Sequence, residues 1–218
     1  MNICMIPVRQ GSQRLAKKNY LKINGKAIYE IAIEKAIASN AFDKIVLNTD
    51  DSSLKNVKAK FGIDFYLRNS FLASSDATSE MVVLDFFNAF SCERVFWLNT
   101  VSPLQTLLDI KNFVSETISN ECSSSVAVST HNVHSYFDGS PLNYNWSENF
   151  SKTQDLKPVT CFNYSMMSWH KSFIKNLQKG QLFNETSLMI ESSPWSNFLL
   201  KSKEDFDLIE SLERVAPI

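Results

Sequence analysis

No sign of charge dominates this sequence: 22 Lys and Arg stand against 23 Asp and Glu, for a net charge of -1. So even a balance gives no support to a broad nucleic-acid-binding face or an anionic-membrane contact. Any anion must therefore be held by a local cluster of cations. Cysteines are few and scattered, at Cys4, Cys92, Cys122 and Cys161, without a CxxC, a zinc-like Cys/His spacing or a short-spaced disulfide framework. They read as small buried hydrophobes in a reducing compartment. Long apolar runs are also missing, since none approaches the roughly 20 residues that span a bilayer. The chain opens on strand-like Met1 to Val8 rather than on the charged segment and cleavage site of a signal peptide. Together these absences predict a cytoplasmic protein. His131, His134 and His170 have no ligand-like spacing with carboxylates, and no Gly-x-Ser-x-Gly elbow surrounds Ser12, Ser79 or Ser102.

What is present is enough apolar material for one sizeable core, 44% of 218 residues. Ile3 to Val8 reads as a strand buried on both faces, followed by a polar, basic loop to Asn19. Helical spacing over Ala27 to Ala38, with Asn40 as a stop, precedes a strand at Lys44 to Thr49. The alternation continues with a helix over Asp51 to Phe61, a strand at Ile63 to Tyr66 and a helix over Ser79 to Phe90. Arg94 to Leu98 follows as a strand, Leu107 to Ile118 as a helix and Ser124 to Ser129 as a strand. Such alternation predicts an α/β fold with a doubly wound sheet, helices on both faces and a ligand beyond the carboxyl ends of the strands. That would gather the loops after Val8, Thr49 and Leu98 around one crevice. The pattern breaks between Thr130 and Thr160, a stretch rich in Asn, Ser, Tyr and Trp. It is too long for an ordinary connection and predicts a lid or an arm packed on another subunit. Phe162 to Trp169 returns to a strand and Ser202 to Val215 forms a last helix, the whole chain 1–218 reading as a single domain.

The first loop carries the chemistry. Ile6-Pro7-Val8-Arg9-Gln10-Gly11-Ser12-Gln13-Arg14-Leu15-Ala16-Lys17-Lys18-Asn19 places four cations directly after a buried strand. Gly11 allows a close backbone approach, Ser12 adds a hydroxyl and a backbone donor, Arg offers phosphate a planar fork and Lys a mobile point charge. A solvated surface loop is the alternative. The Gly-Lys-Ser ending of a Walker loop is absent.

This loop resembles the I-P-A-R-G-G-S-K-R-x-P-x-K-N segment of the acylneuraminate cytidylyltransferase (CMP-sialic acid synthetase) family, matching at Ile6, Pro7, Arg9, Gly11, Ser12, Arg14, Lys18 and Asn19. The resemblance continues in order. Asn48-Thr49-Asp50-Asp51 is similar to an S-T-D segment, Arg68 with Leu72-Ala73-Ser74 and Ser79 to an R-P-x-x-L-A segment, and Leu98 to Leu104 to L-Q-P-T-S-P-L. His134-Ser135-Tyr136 and Phe162-Asn163 resemble two further segments. The resemblance implies a three-layer Rossmann-like mixed sheet of the nucleotide-diphospho-sugar transferase type. It also implies transfer of CMP from CTP to a sialic-acid-like nonulosonic acid, a nine-carbon sugar acid, with release of pyrophosphate. Arg9, Gly11, Ser12 and Lys18 would hold the triphosphate, with Arg9 and Lys18 stabilising the departing pyrophosphate. Asn19, Arg68 and Ser79 would contact the cytidine end. Asn99, Tyr136 and Asn163 would face the sugar acid. The 130–160 excursion matches the family's dimerisation arm, so a homodimer is implied.

Two departures stand out. Asn99 replaces the family's glutamine and is one methylene shorter. The family's I-D-I-D-T-x-E-D segment, whose two aspartates bind Mg²⁺, reads here Phe198-Leu199-Leu200-Lys201-Ser202-Lys203-Glu204-Asp205, so Leu199 and Lys201 occupy the metal positions. Leucine cannot ligate a hard cation, and lysine brings a positive charge in its place. Asp50 is the remaining candidate ligand, whereas Asp51 and Ser202-x-x-Asp205 read as helix caps. An impaired or repurposed nucleotide- or sugar-binding relative is the alternative to an active transferase.

Overall fold

In the computed structural model, which describes residues 1–12 and 14–216, the first strand sets the architecture. β1 (Asn2–Val8) sends Ile3 and Met5 to one face of a sheet and Cys4, Ile6 and Val8 to the other, all buried. A two-strand hairpin follows, β2 (Lys22–Ile23) and β3 (Lys26–Ala27), which the sequence pattern does not announce. α1 (Ile28–Ser39) begins where Glu30 accepts the Ala27 amide N–H at 3.0 Å and ends on Asn40 in the left-handed region, the stop expected there. β4 (Lys44–Thr49), α2 (Val57–Phe61, entered through a 3-10 turn at Ser52–Asn56), β5 (Asp64–Leu67), α3 (Ser79–Ala89), β6 (Arg94–Leu98) and α4 (Leu107–Ser119) then alternate as predicted. Asp51 caps the turn after β4, its carboxylate accepting the Ser53 N–H at 2.9 Å.

β7 (Ser124–His131) ends where the excursion begins. The excursion carries a small hairpin, β8 (Tyr136–Phe137) with β9 (Ser140–Pro141), and returns as β10 (Val159–His170). After the single-turn α5 (Ile174–Leu177), β11 (Leu188–Glu191) adds a strand absent from the sequence reading, and α6 (Lys203–Leu212) closes the chain. The expected final helix thus stops three residues short of Val215.

Seven strands form one sheet in the order β11-β7-β10-β6-β1-β4-β5. β10 runs antiparallel to β6 and β7 and the other pairs are parallel, so the sheet is mixed. Helices α1, α2 and α4 bury Ala32, Ile33, Val57, Ile110 and Phe113 against one face. On the other face α3 buries Val82, Val83 and Phe86 beside Trp169 and Phe173. Each large apolar side chain so covered contributes roughly 1.5–3 kcal/mol. The result is the three-layer α/β arrangement expected. A third cluster, Ile23, Ile28, Leu104, Leu200, Phe206 and Ile209, fastens α6 and the β2–β3 hairpin to the body. The chain builds outward from β1 to β4 and β5, then returns to β6 on the other side of β1. The topological switch therefore lies between β1 and β6, where a crevice opens in such sheets.

Among the described residues, no helix is long and apolar enough to cross a membrane. The four cysteines are free, Cys4 fully buried and Cys161 exposed, so the buried-hydrophobe reading holds for Cys4 but not for Cys161.

Candidate functional site

The loop after β1 turns back over the sheet and is fastened at both ends by one side chain. Asn19 is almost fully buried; its amide donates to the Arg9 carbonyl at 3.1 Å, and its own carbonyl accepts from the Thr100 hydroxyl at 2.7 Å. The segment after β1 is thereby tied to the segment after β6. Lys17 takes a left-handed conformation (φ 51°) and a 3-10 turn over Lys18–Tyr20 follows. The Tyr20 hydroxyl donates to Asp51 at 2.6 Å, and the Gln10 amide to Asp50 at 3.2 Å, so the loop after β4 supports the first loop from behind. That loop does not itself line the crevice, which corrects the expectation drawn from Thr49.

Lys18 lies among cations. Burial, then Arg14 and Arg9, then Lys201 push its ammonium down to about 8, with Asp205 opposing. A lysine so crowded lacks enough local negative charge and is stabilised by any anion that enters. Arg68, delivered by the end of β5, is also buried. One terminal nitrogen donates to the backbone and side-chain oxygens of Asn48 at 3.4 and 3.3 Å, the other to the Val8 carbonyl at 3.3 Å, and Asp50 lies 3.9 Å away.

These elements enclose a cavity of about 260 Å³ at the carboxyl ends of β1, β5 and β6. Arg9, Ser12, Lys18 and Asn19 form its cationic end. Leu72, Ala77, Val82 and Trp97 give it an apolar wall. Thr78 and Ser79 present the first turn of α3, which has no side-chain cap and so offers free amide donors with the positive end of the helix dipole. The Ser12 hydroxyl, the Arg68 Nε and the Trp97 indole nitrogen are buried here without a hydrogen-bond partner among the described residues. Buried polar groups are almost always paired, so three orphans lining one cavity mark it as shaped for a polar ligand.

Seven residues singled out from the sequence line this cavity: Arg9, Ser12, Lys18, Asn19, Arg68, Ser79 and Asn99. Gly11 is exposed and outside the cavity lining, and a Cβ there would meet nothing within 4 Å, so crowding does not require glycine. Asn99 reaches across to the bulge in β10, its amide donating to the Tyr164 carbonyl at 3.3 Å and its backbone N–H to Ser165 at 3.0 Å. Asn163 is buried outside the cavity lining, with its amide donating to Ser192 at 2.7 Å and Asn197 at 2.9 Å. Tyr136 stands exposed on β8, away from the cavity of its own chain. Sequence reasoning did not single out Thr78, Val82 or Trp97 as site residues. The signal for Trp97 was its place two residues before Asn99, on the α3 side of the sheet.

The sequence profile described as Cytidylyltransferase matches residues 3–216. The chain belongs to the cytidylyltransferase family. It is 37% identical over 83 residues to the pseudaminic acid cytidylyltransferase of Campylobacter jejuni, covering 38% of this chain and 36% of that protein. It is 30% identical over 166 residues to the N-acylneuraminate cytidylyltransferase of Streptococcus agalactiae, covering 72% of this chain and 40% of the relative. The chain thus matches well under two thirds of the length of these two relatives. A Campylobacter coli protein named post-translational flagellin modification protein B aligns over 96% of this chain and 94% of its own length at 25% identity. In fold, the chain is similar to a CMP:2-keto-3-deoxy-manno-octonic acid synthetase solved with CTP, with TM-score 0.73, 98% of each chain covered and 12% identity.

Leu199 and Lys201, where the resemblance leads one to expect metal-binding aspartates, do not fit a divalent cation. Leu200 is fully buried and its N–H donates to the carbonyl of Val101, a residue of the cavity wall, at 2.8 Å, and the Lys201 charge is felt at Lys18. Neither the Leu199 nor the Lys201 side chain carries an oxygen donor. The carboxylates nearby are engaged: Asp50 with Gln10 and Arg68, Asp51 with Tyr20 and Ser53, and Asp205 with the Lys201 and Ser202 amides. Among the described residues no group of three or more His, Cys, Asp or Glu converges to hold a metal.

Proposed function

We propose that this chain transfers CMP from CTP to a nine-carbon, sialic-acid-like sugar acid and releases pyrophosphate. The observation that carries this reading is the cationic loop after β1 forming one end of a cavity that also holds three unpaired buried polar atoms. Arg9, Ser12 and Lys18 hold the β- and γ-phosphates, while Asn19, Arg68 and Ser79 face the cytidine. The sugar's anomeric hydroxyl attacks the α-phosphorus and passes its proton to solvent water. The bond from that phosphorus to the bridging oxygen breaks, and the electron pair leaves with pyrophosphate. Lys18 and Arg9 stabilise the charge gathering there, which is where positioned cations lower such barriers. Asn99 contacts the sugar acid, and Asn163 fixes the wall behind it through Ser192 and Asn197. Names of relatives acting on pseudaminic and N-acylneuraminic acid support a substrate of this class.

The same reading includes a cytoplasmic homodimer. The segment between β7 and β10 exposes Phe137, Trp146 and Phe150, an apolar surface suited to a second copy, and Tyr136 would act from this arm in the partner's site. Lys201 supplies, next to Lys18, positive charge where the family places metal-binding aspartates.

One observation favours a second reading, a binder that no longer turns over its ligand: the aspartate pair is replaced by Leu199 and Lys201. Incubation with CTP, Mg²⁺ and a panel of nonulosonic acids separates the two. Transferase function predicts pyrophosphate release that depends on one acid of the panel. Silence across the panel with CTP binding retained supports the binder, and activity gained on Leu199→Asp with Lys201→Asp would identify a degenerate enzyme.

A further inference from the structure

Trp97 lies next to last in β6, and strand alternation decides where its indole goes. Phe96 and Leu98 enter the core layer under α1 and α4, whereas Val95 and Trp97 face α3. The ring is braced edge-on by Trp169, with centroids 6.2 Å apart. Trp169 has its own indole N–H satisfied, donating to the Leu182 carbonyl at 2.7 Å. Trp97 has no such partner: its Nε1 is shielded from solvent and unpaired among the described residues, in a cavity its own ring helps to line. A tryptophan N–H can only donate, and leaving it buried and unmet is costly. Phenylalanine would fill much of the same apolar volume without that cost.

The rest of the cavity indicates what meets this donor. The cationic end at Arg9, Ser12 and Lys18 suits phosphates, which leaves the flat aromatic base for the wall of Leu72, Ala77, Val82 and Trp97. That end offers mainly donors: the Trp97 N–H, the unpaired Arg68 Nε and the free amides of the first turn of α3. Donors converging on a base require an edge bearing acceptors. Cytosine presents two neighbouring acceptors, its ring nitrogen and its carbonyl oxygen, where uracil interposes an N–H.

We infer that Trp97 is a specificity-determining residue of the nucleotide site, its indole N–H donating to an acceptor on the pyrimidine base. The inference rests on the nucleotide reading of this cavity and adds a residue to it. Calorimetric titration of the full chain with CTP and with inorganic tripolyphosphate, for wild type and Trp97→Phe, tests it. Loss of one buried hydrogen bond is expected to weaken CTP about tenfold, while tripolyphosphate binds both proteins alike and shows that the variant is folded. Unchanged CTP affinity in Trp97→Phe overturns the inference, and so does an equal loss for both ligands, which would make the residue structural. Wild type that binds tripolyphosphate but not CTP would instead overturn the nucleotide reading, and the inference with it.

Discussion

At the scale of single residues, the behaviour of Lys18 follows from its neighbours. Its ammonium, pushed down to about 8 by burial and by Arg14 and Arg9, is largely charged at neutral pH in the free protein. A triphosphate binds the charged form. Affinity for CTP should therefore hold steady up to about pH 8 and then fall, by at most about tenfold per pH unit, as the free protein loses the proton that binding restores. The other charged groups around Lys18 are Arg9, Arg14, Lys201 and Asp205. Lys18→Arg, charged throughout, should flatten the profile between about pH 7 and pH 9, about one unit either side of the transition. A wild-type profile already flat there contradicts the assignment. Of the cavity, the sequence showed what lies in the basic loop and in motifs with fixed spacing, namely Arg9, Ser12, Lys18, Asn19, Arg68, Ser79 and Asn99. Trp97 escaped because burial and partnering of a single N–H depend on packing between β6 and α3, which no local pattern encodes.

Among elements, the joint between α4 and the segment after β11 is a carboxylate. Asp109 in the first turn of α4 accepts from the Thr106 N–H and hydroxyl, the Ser193 N–H and hydroxyl, and the Ser196 hydroxyl. Burial works against its charge, but the Ser193, Thr106 and Ser196 donors prevail and hold the carboxyl below its ordinary range. Thr106 returns the bond from Asp109 N–H at 3.0 Å, so one residue both caps α4 and anchors the 3-10 turn Pro194–Asn197. That turn supplies Asn197 to Asn163 and the Ser196 carbonyl to Ser102. Asp109→Ala should cost about 3 kcal/mol in urea unfolding, because it strands several buried donors at once. A depressed carboxyl contributes stability above the usual aspartate range and loses it as pH falls through the folded value, so the variant should also be less sensitive to acid. A cost below roughly 1 kcal/mol would show that the turn is held by other contacts. Most elements of the sheet were legible because strands buried on both faces read as short apolar runs between capped amphipathic helices. β11 was not: Leu188–Glu191 exposes two of its four residues at the sheet edge and owes its strand form to pairing with β7.

For the whole molecule, the question is how one chain becomes a working unit. The excursion between β7 and β10 was visible in composition, but its hairpin form was not, since two-residue strands carry no periodicity. His134 stacks on Phe150 at 3.9 Å, and Tyr144 contacts both His134 and Trp146 edge-on, so the arm has an aromatic core of its own with an apolar exterior. Replacing Phe137 and Trp146 together by serine is expected to turn a dimer into a monomer in sedimentation velocity. A wild type that sediments as a monomer contradicts the arm's proposed role. The account as a whole depends on the loop after β1 receiving polyphosphate. Its most direct test is calorimetric titration of CTP into wild type, Arg9→Ala and Lys18→Ala. The prediction is saturable binding by wild type and a loss of about tenfold or more in each variant, in keeping with removal of a charge-assisted hydrogen bond. Equal affinity in all three proteins, or no heat from wild type at millimolar CTP, would contradict it.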